Sequence, residues 1–303
     1  MSVNFKAGFV SVVGRPNVGK STLMNALLGQ PVAAVSPKPQ TTRRNQLGIL
    51  SDDKAQIVFI DTPGLHQEHN KLGGLMNEQA LFALDDGDLI LFLVDCAQPP
   101  SDEDCVLATR IGGRGRRQPV LLALNKIDLL EPGELDVRRA GYGALTTTAQ
   151  SLEISATQGR GLAELLAAIS ERLPEGEPFY PSDQVTDLFE RQIGADLIRA
   201  AAMSLLREEV PFGLDVRIDR YVERGEKGAL IEATLFVERE SHKGIVIGDG
   251  GKMIKQIGQT ARKEIEAMSQ RKVFLDLRVK VKANWRDDET ALEQFGYSRK
   301  KDK

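Results

Sequence analysis

Short apolar runs alternate with stretches of helical periodicity through the first half of the chain. The runs have the length of buried strands and cover residues 9–13, 57–60, 89–94, 120–124 and 152–156. Between them, apolar residues recur at helical spacing, as in 22–28 and 102–111. Strands that alternate with helices pair in parallel and are covered by helices on both faces. The pattern therefore predicts an α/β fold with a doubly wound, mostly parallel sheet.

The pattern changes after residue 173, where prolines and glycines end the last of these helices. We interpret 176–186 as a linker between a first domain over 1–175 and a second over 187–303. The predicted elements of the second domain are a helix over 187–209, strands over 214–221 and 229–237, helices around a glycine loop at 248–251, a strand over 273–281 and a short helix from 285. This order predicts an α+β domain.

The spacing G-x-x-x-x-G-K-S at residues 14–21 predicts a phosphate-binding loop between the first strand and the first helix. The helix N-terminus favours an anion. Lys20 would reach the β- and γ-phosphates, and the Ser21 hydroxyl would bind Mg²⁺. The residues predicted to bind nucleotide here are Gly14, Arg15, Pro16, Asn17, Val18, Gly19, Lys20, Ser21 and Thr22.

Two later segments are placed to sense the γ-phosphate and its metal. The loop 31–40 leads into Gln-Thr-Thr-Arg, where Thr42 is the predicted metal-sensing hydroxyl and Thr41 is the alternative. The second segment reads Asp61-Thr62-Pro63-Gly64, in which Asp61 would hold Mg²⁺ through water and Gly64 would offer its N–H to the γ-phosphate. The predicted metal-binding residues are Ser21, Thr42 and Asp61, and the predicted catalytic residues are Lys20, Thr42, Gly64 and Asn17.

The stretch N-K-I-D at residues 125–128 predicts the choice of base. One carboxylate, that of Asp128, would accept hydrogen bonds from both N1–H and N2–H of guanine, and adenine has no such pair of donors. Asn125 would recognise the base or position the site, and the stem of Lys126 would cover the ring. After the last strand, the Ala156 N–H is expected to meet guanine O6, with Ser155 shaping the loop.

Residues 245–254 read I-V-I-G-D-G-G-K-M-I, in which the G-x-x-G opens a helix. This pattern is typical of a KH domain, whose glycine loop clamps about four nucleotides of single-stranded nucleic acid. A second phosphate loop is the alternative, but the Gly-Lys-Ser ending is missing. The predicted RNA-binding residues are Ile247, Gly248, Asp249, Gly250, Gly251, Lys252 and Lys255.

The charge distribution supports an RNA partner. Residues 241–286 contain eleven Lys/Arg and four Asp/Glu, a net charge of +7, whereas the whole chain of 303 residues has a net charge of −3. The remaining residues therefore carry −10. One basic region in an acidic protein favours a focused anion-binding surface over general adhesion to polyanions.

The rest of the composition predicts a compartment. The two cysteines, Cys96 and Cys105, are interpreted as packing residues in a reducing environment. No signal peptide is recognised at the N-terminus, and the longest apolar run, 89–94, is too short to span a bilayer. We expect a cytoplasmic protein that could still touch a membrane surface.

Catalysis raises a difficulty at position 65. Ras-like GTPases orient the attacking water with a glutamine directly after the Asp-x-x-Gly turn, and this chain has Leu65 there. Intrinsic hydrolysis is therefore predicted to be slow. Asn17 occupies the position at which related K⁺-dependent GTPases help to hold K⁺, so K⁺ is predicted to accelerate hydrolysis. His66 and His69 are interpreted as solvated loop residues.

The motifs together resemble the Era family of bacterial ribosome-assembly GTPases. They are G-R-P-N-V-G-K-S at 14–21, Q-T-T-R at 40–43, D-T-P-G-L at 61–65, N-K-I-D at 125–128, I-S-A at 154–156, V-I-G-D-G-G-K-M-I at 246–254 and W-R-D-D-E at 285–289. The resemblance implies a Ras-like P-loop NTPase fold followed by a type II KH domain. It implies GTP/GDP and Mg²⁺ as cofactors, binding near the 3′ end of small-subunit ribosomal RNA, maturation of that subunit, no DNA partner and loose membrane association. One departure is Asp249, an acid inside the clamping loop.

Two other functions remain open at this point. The first is an RNA-binding scaffold whose nucleotide site only stabilises the fold, which Leu65 makes conceivable. The second is a membrane-trafficking GTPase, against which the KH half and the lack of a lipidation motif argue.

Overall fold

We describe the protein from a computed structural model, over residues 5–64, 70–112, 118–146, 150–188, 190–223 and 228–297. The chain divides into two compact units. The first unit comprises residues 1–30, 43–66 and 76–187, and the second comprises 31–42, 67–75 and 188–303. Two segments from the N-terminal half of the sequence are therefore grouped with the C-terminal half. The domain boundaries predicted at 175 and 187 stay a prediction.

The first unit is built on a six-stranded sheet with the order β2-β3-β1-β4-β5-β6. Its strands are β1 (Lys6–Val13), β2 (Gln46–Ser51), β3 (Ala55–Asp61), β4 (Leu89–Asp95), β5 (Val120–Asn125) and β6 (Gln150–Glu153). Its helices are α1 (Lys20–Leu28), α2 (Lys71–Asp86), α3 (Asp102–Gly112), α4 (Glu134–Gly143) and α5 (Leu162–Arg172). Every residue of β3 and β4 is buried, as expected for strands covered on both faces. The predicted P-loop fold is confirmed.

The edge strand β2 is the one element of this sheet that the hydrophobic pattern did not predict. It pairs antiparallel with β3, whereas the other neighbouring strands pair in parallel. Its sequence, Q-L-G-I-L-S, contains a glycine, which weakens the strand pattern. A Cβ at Gly48 would lie 2.8 Å from the Met24 Sδ and the Leu28 Cδ1 of α1, so the glycine allows the helix to approach the strand.

The predicted linker runs along this edge of the first unit. The buried side chain of Gln56 accepts hydrogen bonds from the N–H groups of Phe179 (2.7 Å) and Tyr180 (3.0 Å) and donates one to the Tyr180 carbonyl (2.8 Å). Farther on, the Ile49 N–H donates to the carbonyl of Val185 at 2.8 Å. The segment is thus fastened to the sheet by its backbone.

The second unit has a three-stranded sheet with the order β7-β8-β9, in which β7 and β8 are antiparallel and β8 and β9 are parallel. Its elements are α6 (Glu190–Leu205), β7 (Asp215–Glu223), β8 (Ala229–Val237), α7 (Glu240–Ile247), α8 (Lys252–Ser269), β9 (Val273–Val281) and α9 (Glu289–Gln294). Buried residues of α6, α8 and the sheet form one core. The predicted order of helix, hairpin, helices around the glycine loop and strand is observed.

The first helix of this unit is shorter than the predicted 187–209. It ends at Leu205, and it could not reach residue 209 because Glu208 has a φ of 54°, which an α-helix cannot contain. The last helix starts at Glu289, where the carboxylate of Asp288 caps it by accepting the Ala291 N–H at 3.1 Å.

Among the helices that the structure describes, none combines the length and the apolar character needed to cross a bilayer.

Candidate nucleotide and RNA sites

The phosphate-binding loop connects the end of β1 to the start of α1. Gly19, its last residue, has a φ of 104°, in the left-handed region that favours glycine. A Cβ there would also lie 2.6 Å from the Asn125 Nδ2, so a side chain at this position would collide with the N-K-I-D motif. The loop ends as the sequence predicts, with backbone N–H groups at the N-terminus of α1 unused by the helix itself.

Lys20, the predicted phosphate-binding lysine, is buried against the phosphate-binding loop. Its Nζ donates to the carbonyl oxygens of Gly14 (2.9 Å) and Arg15 (3.1 Å). Burial lowers the pKa of Lys20 to about 8, although the carboxylate of Asp61 opposes that change. A desolvated ammonium of this kind is suited to gain a strong anionic partner such as a phosphate.

The predicted metal residues of the first unit lie together. The Ser21 hydroxyl donates to Oδ2 of Asp61 at 2.7 Å, and Asp61 is buried at the end of β3. The neighbouring Thr62 hydroxyl is used structurally, since it donates to the carbonyl of Val12 at 2.9 Å. A hydroxyl and a carboxylate oxygen beside a phosphate loop are the hard ligands that Mg²⁺ prefers, so these residues fit the ion.

The two candidate threonines lie in the segment 31–42, which is grouped with the second unit. The Thr41 hydroxyl is engaged inside this segment, with Ser36 Oγ at 2.6 Å and the Lys38 carbonyl at 2.8 Å. Thr41 is buried, and Thr42 is only half-buried. The choice of Thr42 over Thr41 as the metal-sensing hydroxyl stays a prediction.

Gly64 closes the second motif against the phosphate loop. A Cβ at Gly64 would lie 2.9 Å from the backbone N of Pro16 and from its Cγ. Only a glycine allows the Asp-x-x-Gly turn this close an approach to the loop. Leu65, His66 and His69 lie outside the described residues. The slow intrinsic hydrolysis predicted from Leu65 therefore stays a prediction.

At the base-binding end of the site, the Asn125 side chain forms hydrogen bonds with two backbone groups of the protein. Its Nδ2 donates to the carbonyl of Val18 at 2.8 Å, and its Oδ1 accepts the N–H of Ala156 at 3.1 Å. Of the two roles left open for Asn125, the geometry favours positioning. The Ala156 N–H, predicted to meet guanine O6, is already used here and would have to share or exchange its acceptor. Ser155 shapes the loop as expected, since its Oγ accepts the Gln158 N–H at 3.2 Å.

Asp128, unlike Asn125, has a side-chain oxygen without a hydrogen-bond partner among the described residues. Its Oδ1 is buried, and none of the described residues donates a hydrogen bond to it. Lys126, two residues earlier, has a φ of 68° and turns its Nζ to the carbonyl of Asn17 (2.9 Å) and to Asp95 (2.6 Å). A buried carboxylate oxygen without a donor is costly, and a guanine edge would supply the missing donors.

Sequence reasoning missed the residue that holds Arg15. Arg15 Nε forms an ion pair with Oδ2 of Asp104 at 3.3 Å, and the side chain of Asp104 is fully buried. The same oxygen accepts the N–H (3.0 Å) and the hydroxyl (2.8 Å) of Ser101, while the Asp104 N–H donates to Ser101 Oγ at 3.3 Å. This reciprocal pair is a capping box at the start of α3, and the spacing S-x-x-D at 101–104 was the signal that could have found it.

The glycine loop of the second unit lies between α7, which ends at Ile247, and α8. Gly248, Gly250 and Gly251 have φ values of 72°, 57° and 78°. A Cβ at Gly250 or at Gly251 would meet nothing within 4 Å, so the space over these two residues is open. The conformation, rather than crowding within the protein, requires glycine there.

Lys252 and Lys255 are exposed at the start of α8, beside the loop. Asp249, the acid in the glycine loop, forms an ion pair with Lys252, with 3.0 Å between Oδ2 and Nζ. Both side chains are solvent-exposed. An exposed ion pair of this kind is weak, so a phosphate can replace the carboxylate at little cost.

Comparison with known families supports both halves of this description. The family described as 50S ribosome-binding GTPase matches residues 9–126, and the family described as KH domain matches residues 209–286. The chain is 46% identical to GTPase Era of Lactobacillus helveticus over 296 residues, 98% of this chain and 97% of that protein. It is 45% identical to GTPase Era of Halothermothrix orenii over 97% of this chain and 99% of the relative.

Solved structures give the same result. A crystal structure of Era in complex with MgGDPNP and nucleotides 1506–1542 of 16S ribosomal RNA is 38% identical, with a TM-score of 0.88 over 97% of this chain and 100% of the other. The crystal structure of a point variant of Aquifex aeolicus Era bound to GDP·AlF4⁻ is 37% identical, with a TM-score of 0.89 and the same coverage. The resemblance noted in the motifs is thereby confirmed, and so is GTP hydrolysis as the activity. The chain belongs to the Era family of GTPases.

Proposed function

We propose that this GTPase couples its nucleotide state to binding of small-subunit ribosomal RNA near the 3′ end, and that it acts in assembly and maturation of the small ribosomal subunit. The observation that carries the proposal is the open glycine loop at the start of α8, in the same chain as a guanine nucleotide site. A relative of 38% identity has been crystallised with MgGDPNP and a 16S ribosomal RNA segment.

In this proposal the nucleotide lies across the carboxyl ends of β1, β3, β5 and β6. The loop 14–19 and Lys20 surround the phosphates, Ser21 and Asp61 hold Mg²⁺, and Asp128 receives the guanine edge. When bound, Mg²⁺ neutralises charge that develops on the phosphates during transfer. Thr42 and Gly64 are the groups that would distinguish GTP from GDP.

The RNA would lie on the glycine loop and the first turn of α8. Positive φ values and open space at Gly250 and Gly251 allow a sugar-phosphate backbone to approach the helix N-terminus closely. Ile247, the last residue of α7, is half-buried beside the loop, and Lys252 and Lys255 supply positive charge.

The RNA site is tested with the double variant Gly250→Asp/Gly251→Asp and an oligonucleotide of the small-subunit 3′ end. We expect the affinity for RNA to fall at least about tenfold, because two carboxylates would repel the backbone, with GTP hydrolysis retained. The matched control is Gly112→Asp/Gly143→Asp, which adds the same charge at two open positions of the first unit. Equal RNA affinity of wild type and loop variant would contradict the proposal.

We further propose that K⁺ accelerates hydrolysis through Asn17. Asn17 has a φ of 63°, and its carbonyl accepts a hydrogen bond from Lys126 Nζ, which ties this loop residue to the N-K-I-D motif. Hydrolysis should be faster in K⁺ than in Na⁺, and Asn17→Ala should lose that difference while Asn25→Ala, in α1, keeps it. Equal rates of the wild type in both salts would reject a role for K⁺. The cytoplasmic location stays a prediction from the composition, and loose contact with a membrane surface stays a prediction from the resemblance.

A further inference from the structure

A buried arginine of the second unit binds the segment that carries Thr42. Arg199 of α6 is 3% exposed, and its Nη2 donates to the backbone carbonyl of Thr41 at 2.8 Å. The residue next to the predicted metal-sensing threonine is thus bound to a helix of the RNA-binding unit.

The surroundings of Arg199 keep its guanidinium charged and oriented. It forms ion pairs with Asp196 (2.6 Å) and Asp215 (3.6 Å), and its Nη1 donates to the hydroxyl of Tyr297 at 3.3 Å. Burial alone would lower the pKa of Arg199, but these neighbours outweigh it and raise the pKa above its ordinary value. Two acids and a planar fork of donors fix the direction of the bond to Thr41.

The same segment makes a second attachment. Lys38 Nζ donates to the carbonyl of Leu206, directly after α6. Because the Thr41 hydroxyl binds the Lys38 carbonyl and Ser36, residues 36–41 form a compact turn, which is held at Lys38 and at Thr41. Thr42 follows this turn immediately.

The start of α2, seven residues after Gly64 of the Asp-x-x-Gly motif, is held in a similar way. The N–H of Lys71 donates to Asp287 Oδ1 and the N–H of Leu72 donates to the carbonyl of Arg286, both at 3.0 Å. Both N–H groups belong to the first turn of α2. The helix itself offers no carbonyl that could accept their hydrogen bonds. Lys71 Nζ adds an exposed ion pair with Glu289 at 2.9 Å. Residues after β9 therefore cap the helix that follows the γ-phosphate motif.

We propose that Arg199 and Asp287 are positioning residues that link the two γ-phosphate-sensing segments to the RNA-binding unit. Binding of GTP and Mg²⁺ acts on Thr42 and Gly64. Thr42 directly follows Thr41, which Arg199 holds, and the chain after Gly64 leads to Lys71, which Asp287 holds. A change in either segment then alters contacts of α6 or of the chain after β9. This inference rests on the proposed coupling of nucleotide state to RNA binding and assigns it to named contacts.

The experiment compares RNA affinity in the presence of GDP and of a non-hydrolysable GTP analogue, with a small-subunit 3′-end oligonucleotide as the probe. Wild type, Arg199→Lys and Asp287→Ala are measured as full chains. Arg199→Lys keeps the charge beside the two acids but loses the fork that reaches Thr41. Asp287 is exposed, so its replacement should not prevent folding. In both variants the ratio of the two RNA affinities should move at least about threefold towards one, because the energetic link between the sites is weakened.

Two controls separate this role from general destabilisation. Arg191→Lys changes the same residue type in the same helix, where the side chain binds the carbonyl of Ile218. Asp287→Asn keeps an oxygen that accepts the Lys71 N–H. Both controls should keep the wild-type ratio, and GDP affinity should stay within about twofold of wild type in all variants.

Two results would overturn the inference. If Arg199→Lys and Asp287→Ala bind GDP and RNA and still show the wild-type ratio, the contacts do not carry the coupling. If the wild type itself has a ratio of one, the proposed coupling fails and this inference fails with it.

Discussion

At the residue scale, the first and last side chains of the N-K-I-D motif, Asn125 and Asp128, have different roles. Asn125 binds two backbone groups of the protein with both ends of its amide, whereas Oδ1 of Asp128 is buried and receives no donor from the described residues. The sequence predicted the site from this motif. It left the role of Asn125 open, because the partners of that side chain come from the phosphate loop and from the loop after β6, which only the fold brings together.

Asp128→Asn should exchange preference for guanine for preference for xanthine. The amide offers a donor where the carboxylate offered an acceptor, so it would face the N2–H₂ of guanine with the wrong group. We expect GTP affinity to fall about a hundredfold or more, as for a buried polar group left unpaired. Titration with GTP and XTP measures the change, and unchanged GTP affinity would show that Asp128 does not contact the base.

Lys20 makes nucleotide binding depend on pH. With a pKa of about 8, it is about half protonated in the free protein at pH 8, and a bound phosphate should restore its charge. Binding of GDP should therefore take up about half a proton at pH 8 and about a tenth at pH 7. Affinity should fall as the pH rises above 8, because the free lysine must first gain its proton.

Calorimetry in two buffers of different ionisation enthalpy measures this uptake. Lys20→Arg, which stays charged at both pH values, is the control and should take up no proton at this site. Equal uptake by the wild type at pH 7 and pH 8 would contradict the lowered pKa of Lys20.

At the element scale, the start of α3 supports the phosphate loop. Asp104 is fully buried, caps α3 with Ser101 and pairs with Arg15 of the loop. Asp104→Ala should lower the free energy of unfolding by about 3 kcal/mol, since it removes the cap and one partner of a buried ion pair.

Urea unfolding measures this loss, with Asp102→Ala as the control. Asp102 is exposed in the same first turn and should change stability by less than about 1 kcal/mol. Equal stability of the two variants would show that the pair of Arg15 and Asp104 contributes nothing. GDP affinity should also fall in Asp104→Ala, because Arg15 belongs to the loop.

The success of the sequence prediction differs from element to element for physical reasons. Strand β9 was predicted with its observed bounds, because its alternation is regular, and α1 ends at the predicted Gly29, which has a φ of 69°. Strand β2 was missed, since its stability comes from pairing with β3 rather than from its own pattern. Helix α6 was predicted too long, because the apolar spacing continues past Leu205 while the backbone turns.

At the scale of the whole molecule, the sequence predicted two functions in two halves, and the structure adds how the chain is shared between them. Residues 31–42 and 67–75 come from the nucleotide-binding half but are grouped with the RNA-binding unit. Nothing in the local sequence of these segments predicts this, because their partners, Arg199 and Asp287, lie more than a hundred residues away. Contacts of this kind are determined by tertiary structure alone.

The central claim is that a guanine nucleotide in the first unit changes RNA binding by the second. The most direct measurement is the affinity of the full chain for the small-subunit 3′-end oligonucleotide in the presence of GDP, of a GTP analogue and of the matching ATP analogue. We predict at least a roughly fivefold difference between the GTP analogue and GDP, within the range of known couplings, and no effect of the ATP analogue. The same RNA affinity with all three nucleotides would contradict the account.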